Sequence, residues 1–303
     1  IWTDVQIRGK RDRHAIPTNK ALSPTLMVGK RILLSIPFES VVKFPPRKTV
    51  RRVCAIDLGI NTTATASIVT EDGTVVARQF FHRGTDIDRR DKGLTQIRSK
   101  ARLTMGATGK LGTGFCANAY RKAANRNRDM ANRLSGQIVA FAMEHDATAI
   151  VLEHLKHFRP KAGRKGSPLR QRFHGWLHRL LVRKVKERAE EACLRTEFVH
   201  PAGTSKYAFD GSGEVKRDPK NRTLATFANG RQYNADLSAS YNIGARFFAR
   251  VLGLSARNGK ACVSGKSSRA HPRIPVTLST LWLYAQNGRV AECEAPSTAP
   301  LGV

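Results

Sequence analysis

The sequence predicts an α/β protein, a mixed sheet with helices packed on its faces, and three observations predict it. Apolar runs with the two-residue alternation of strands, RVCAIDL, TATASIV and TVVARQFF, follow one another from residue 52 with little between them but turns. Beyond them, segments with helical spacing alternate with short β-branched runs, the pattern of strands joined by helical crossovers. A length of 303 residues with 41% hydrophobic composition is enough to bury a substantial core in one large or two modest domains.

In residues 1–43 the one clear run is RILLSIPF, which reads as one strand; Pro45-Pro46 and the basic RKTVRR after them read as a linker. This segment is expected to be the end of a β-domain, in a chain truncated at its N-terminus. From Val53 come a buried strand, RVCAIDL, a second strand, a hairpin turn at Glu71-Asp72-Gly73 and a third strand. Residues 89–133 hold twelve Lys or Arg against two Asp, and MGATGKLGTG within them is expected to break a helical pair. Met130, Leu134, Ile138 and Phe141 then recur at helical spacing, and ATAIVLEHL reads as a strand ending at Glu153.

Residues 169–195 place Phe173, Trp176, Leu177, Leu180, Leu181, Val185 and Ala189 on one helical stripe. That spacing favours core packing for Phe173 and Trp176 over base stacking. TEFVH is a fifth strand, residues 201–235 form a glycine-containing insertion, and a helix runs from Leu237 to Leu252, just after Asp236. Residues 254–303 have weak periodicity, and no element is assigned to them.

Three acids stand where these elements end or begin: Asp57 closes the first buried strand, Glu153 closes the fourth, and Asp236 opens the last helix. If the two strands are neighbours, both carboxylates emerge on one edge of the sheet and Asp236 joins them from above. Each has an ordinary reading as well, as a turn acid, a strand-end acid and a helix cap. Like charges about 4 Å apart repel by about 4 kcal/mol at an effective dielectric of 20, so three of them together need cations. Mg²⁺ or Mn²⁺, two ions, fits a set of hard oxygen donors and would support hydrolysis of a phosphodiester. His154 needs no role as a base there, and strand alternation turns it to the other face.

The balance of 53 Lys and Arg against 23 Asp and Glu gives a formal net charge of +30, which calls for a polyanion such as nucleic acid as partner. A membrane is not the expected partner, because no stretch of about 18 apolar residues offers a span. The five cysteines form no Cys-x-x-Cys pair, which fits a reducing cytoplasm.

DLGINTTATA, IVLEHLK, a TSK-containing loop and NADLSASYNI together resemble the three RuvC motifs of the TnpB family and the related miniature type V CRISPR effectors, over roughly Arg52 to Val251. DLGINTTA alone also resembles the phosphate loop of actin-like ATPases, but EDGT and FDGSG sit in a turn and an insertion and make poor second loops. The resemblance implies an RNase H-like RuvC domain over residues 49–253 with its insertion at 201–235, preceded by a wedge-type remnant and linker (1–48) and followed by a tail (254–303). It implies an RNA-guided, Mg²⁺-dependent DNA endonuclease, with guide RNA and target DNA as partners and Asp57, Glu153 and Asp236 as catalytic metal ligands. Its setting would be a prokaryotic cytoplasm, at the nucleoid when bound to DNA. A guide-directed DNA-binding protein without cleavage is the alternative.

Family members carry a zinc ribbon in the insertion, but Tyr207, Asp210, Thr226 and Asn229 occupy the cysteine places here, so no structural zinc is expected. Tyr207, Phe209, Phe227 and Tyr233 would hold the insertion as an aromatic cluster instead. The resemblance further makes Arg222, Lys156, Arg121 and Lys122 candidate nucleic-acid contacts, the last three along a heteroduplex channel.

Overall fold

The computed structural model describes residues 22–29, 32–37, 39, 41–59, 62–82, 84–105, 111–155, 178–219, 221–257, 260–263 and 276–286. Contacts divide the chain into a unit ending at Lys43 and a unit beginning at Phe44. In the first, β1 (Thr25–Val28) pairs antiparallel with β2 (Ile32–Ser35), setting Leu26 against Leu34. The sequence reading has one strand there; TLMV, with no alternation of its own, is the strand it lacks. Leu26, Val28, Ile32 and Leu33 are all exposed on this hairpin.

The second unit is built on a five-stranded mixed sheet of β3 (Arg52–Asp57), β4 (Ala64–Thr70), β5 (Val75–Phe81), β6 (Ala149–Glu153) and β7 (Arg195–Val199). Its order is β5-β4-β3-β6-β7. The first three strands form an antiparallel meander, while β3, β6 and β7 run parallel, so Asp57 and Glu153 lie at the same edge. Helices α1 (Gly84–Met105) and α2 (Ala117–Glu144) connect β5 to β6, and α3 (His178–Glu191) lies between β6 and β7. Both segments between the parallel strands are long enough for the crossover that parallel pairing demands.

Strand alternation sorts the two faces. Cys54 and Ile56 of β3 pack with Leu134 and Ile138 of α2 and with Leu181 and Val185 of α3. Val53 and Ala55 face the other way, under the helix α4 (Ala235–Val251) with its Tyr241, Phe247 and Phe248. The expected stripe Met130, Leu134, Ile138 and Phe141 is buried throughout, while the preceding turns of α2 are largely exposed. Phe173, Trp176 and Leu177 lie outside the described residues, whereas Leu181, Val185 and Ala189 are buried as their spacing predicts.

Gly244 lets α4 lie close on the sheet. A Cβ there would fall 2.8 Å from Val69 Cγ2 and 3.3 Å from Ala55 Cβ. On β7, the buried Glu197 accepts from Arg47 Nε at 2.5 Å and Arg250 Nη2 at 3.0 Å, tying the segment before β3 and the end of α4 to one strand. A buried carboxylate with two guanidinium partners avoids the penalty of an unpaired charge.

The insertion folds as a small sheet of β8 (Lys216–Arg217), β9 (Leu224–Thr226) and β10 (Gln232–Asn234), in the order β10-β9-β8. At the expected ribbon corners, Asn229 Nδ2 donates to Asp210 Oδ2 at 3.0 Å. Phe209 meets Phe227, Tyr233, Tyr241 and Trp282 with ring centroids 5.6, 4.9, 5.2 and 6.1 Å away. Tyr207 stands apart from this cluster beneath Lys206, and Tyr241 and Trp282 join it from elements outside the insertion.

After α4 come a hairpin, β11 (Leu254–Arg257) with β12 (Lys260–Val263), and a helix, α5 (Leu278–Gln286). These lie in the stretch to which the sequence reading assigns no element. Leu278 and Leu281 are buried in the core beneath α4, and Trp282 Nε1 donates to the Gly73 carbonyl at 2.8 Å. Among the described residues no helix is long and apolar enough to cross a membrane.

Candidate active site

The register of the sheet places the acids. Asp57 is opposite Thr65, Thr65 is opposite Phe80, and Glu153 continues the parallel pairing one step past Ile56 and Leu152. Paired residues point to the same face, so Phe80, Thr65, Asp57 and Glu153 form one row on the α4 side of the sheet, at the carboxyl ends of the parallel strands. Asp236 enters from the first turn of α4. The cap of that helix is Asn234, whose Oδ1 accepts from the Asp236 and Leu237 amides at 3.0 and 2.9 Å. The ordinary cap reading of Asp236 therefore does not hold: its carboxylate is free of that duty and accepts instead from the Thr62 side chain.

The electrostatics bring the three together around Asp57. Burial pushes the Asp57 carboxyl well above the usual carboxylate range, and the charges of Glu153 and Asp236 push in the same direction, against Arg217 and the Leu58 amide. Glu153 is raised by burial, opposed by a hydrogen bond from Thr204 Oγ1 and by the charge of Arg246. Asp236 is likewise raised by burial, opposed by Arg217 and Thr62. Asp57 is thus the member that feels both others.

Arg217, Arg246, Thr204, Thr62 and Asn242 are the residues that sequence reasoning missed. Arg217 lies on β8, so the insertion itself sends a cation toward the acids. Asn242, buried on α4, donates to the Thr204 and Tyr207 carbonyls at 3.0 and 2.8 Å and so fixes the loop that presents Thr204 to Glu153. A polar Asn at a buried position of an apolar helix face was the available signal for it; Arg217 had none.

The candidate contacts fall elsewhere. Arg222 is exposed on the insertion, and its carbonyl accepts from Arg217 Nη1 at 3.3 Å. Arg121 and Lys122 are exposed on the first half of α2, and Lys156 lies outside the described residues. His154 is exposed and its ring meets Phe198 edge-on, on the face away from the acids.

Among the described residues, no three His, Cys, Asp or Glu side chains are gathered closely enough to ligate one ion as they stand. The surroundings nevertheless suit hard cations. Three oxygen donors are held where their charge is disfavoured, and the buried Thr65 Oγ1, next to Asp57 in the row, has no hydrogen-bond partner.

No family model matches the chain. Over 160 residues it is 30% identical to a TnpB-like protein of Aquifex aeolicus strain VF5, the match covering 51% of this chain and 51% of that protein. The chain thus aligns with about half the length of this curated relative. Among solved structures it resembles the Cas12f1–sgRNA–target DNA complex at 14% identity, covering 72% of this chain and 55% of that one with a TM-score of 0.47. It also resembles Alicyclobacillus acidoterrestris C2c1 in complex with single-guide RNA, at 11% identity over 92% and 51% of the two chains with a TM-score of 0.45.

Proposed function

We propose that this chain supplies the RNase H-like RuvC nuclease domain of an RNA-guided DNA endonuclease, with Asp57, Glu153 and Asp236 as its catalytic carboxylates. The observation that carries the reading is that Asp57 and Glu153 end neighbouring parallel strands on one face, that Glu153 and Asp236 both act electrostatically on Asp57, and that burial disfavours the charge of each. The 30% identity over 160 residues to a TnpB-like protein supports it. Guide RNA and target DNA are the partners this reading requires, and a net charge of +30 suits both.

In this reading Asp57, Glu153 and Asp236 would hold two Mg²⁺ or Mn²⁺ ions. When bound, such ions supply an activated water and stabilise charge on the phosphorus and on the leaving 3′ oxygen. The chain's own groups orient the acids: Thr204 holds Glu153, Thr62 holds Asp236, and Asn242 holds the Thr204 loop. The insertion is proposed to fold without zinc, through the Asp210–Asn229 hydrogen bond and the Phe209-centred cluster.

The assay is cleavage of DNA complementary to the RNA that co-purifies with the chain. Mg²⁺-dependent cleavage is expected, with Asp57→Ala abolishing it; equal cleavage by the variant would sink the assignment. A second reading, guided DNA binding without cleavage, is favoured by the charge of Arg217 among the acids. It predicts guide-dependent binding and intact DNA in the wild-type chain.

A further inference from the structure

Phe80 sits on the row that carries Asp57, two strands away and on the same face of the sheet. At a strand spacing of about 4.8 Å, its backbone is about 10 Å from that of Asp57. Helix α4, which covers β3 and β4, leaves Phe80 37% exposed on the edge strand β5. An aromatic ring in the open on an edge strand invites unwanted pairing unless it has a partner.

Its neighbours narrow what that partner is. His82, two residues on and exposed, lies nearly parallel to Phe80, with ring centroids 6.0 Å apart and planes 18° from each other. Arg78, two residues before and therefore on the same face, donates Nη1 to the Tyr233 hydroxyl at 3.4 Å. The exposed Arg231 lies over the Tyr233 ring at 5.7 Å. Ring faces on β5, with two guanidinium groups gathered at Tyr233, match the two surfaces of a single nucleic-acid strand, its unpaired bases and its phosphates. A duplex, whose bases already stack on one another, would leave the rings without a partner.

We propose that Phe80 and His82 form a stacking platform for a base of the single DNA strand entering the acidic site, with Arg78 and Arg231 against its phosphates. The placement rests on the hydrolytic reading of the row, and it makes Phe80 a positioning residue for the scissile strand. No base-edge contact is involved, so the platform is tolerant of sequence.

The test uses the full chain in EDTA and a single-stranded DNA oligonucleotide carrying 2-aminopurine, whose fluorescence falls when the base stacks. Quenching on binding is expected for the wild type. Phe80→Ala is expected to abolish the quench and weaken binding by about 5- to 150-fold. Phe80→Trp is expected to restore both, and Phe80→Leu, apolar but without a π face, to restore neither. Binding and quenching by Phe80→Ala equal to the wild type, or full rescue by Leu, would overturn the platform. Mg²⁺-dependent cleavage is read separately, on DNA complementary to the RNA that co-purifies with the chain: a quench with no such cleavage keeps the platform and removes the hydrolytic reading, whereas cleavage that is indifferent to Phe80→Ala does the reverse.

Discussion

At Asp57, burial and two neighbouring carboxylates act in one direction, each disfavouring the ionised form. In the metal-free protein the consequence for stability has a definite sign. Below the unfolded carboxylate value of about 4 both states are protonated and the full stability is present. As pH rises toward the raised folded value the unfolded chain ionises first, and stability is lost. Asp57→Asn removes that loss, and it is expected to stabilise the metal-free protein at pH 7 by about 0.5–2 kcal/mol. Thermal unfolding in EDTA from pH 4 to 8 measures this; a variant that melts below the wild type at pH 7 would contradict it. The acids were legible because Asp57 and Glu153 each end an apolar run, where the strand's edge presents a side chain. Arg217 and Arg246 were not, since their approach depends on how the insertion and α4 fold back over the sheet.

Among the elements, α4 carries the most information per residue, since it brings Asp236, Asn242 and Arg246 to the site from one rigid helix. Its seat depends on Gly244. Alanine in a helix interior is usually favoured over glycine by about 1 kcal/mol. Here the added methyl would meet Val69 Cγ2 at 2.8 Å, so α4 or β4 must move. Gly244→Ala is therefore expected to lower stability by about 1–3 kcal/mol and to reduce cleavage through displacement of Asp236. Urea unfolding checks the first effect, and a gain in stability would contradict the close seating. The strands of the sheet were readable from alternation and β-branched composition, and α2 from its buried stripe. Strand β1 was not readable, because Leu26, Met27 and Val28 run without alternation, nor was α5, whose burial comes from meeting Gly73 and Phe209, residues far from it in sequence.

Across the whole chain, 53 Lys and Arg outnumber 23 Asp and Glu, and two of those acids, Asp57 and Glu153, end neighbouring strands of one sheet. In the proposed reading the two features serve one chemistry: the basic surface would gather a polyanion, and the acids the cations that hydrolysis of a phosphodiester needs. At the places where the resemblance implies zinc ligands, Asp210 and Asn229 share a hydrogen bond, and rings from three parts of the chain pack around Phe209. Composition points to a polyanion as partner and the motifs single out the three acids, while the fold adds that Asp57 and Glu153 end neighbouring strands. The most direct measurement is anomalous diffraction from crystals of the chain soaked in Mn²⁺. The account predicts two peaks, roughly 3.5–4 Å apart, among the carboxylates of Asp57, Glu153 and Asp236, both lost in Asp57→Ala. Peaks that persist in the variant, or no peak at these carboxylates in the wild type, would contradict it.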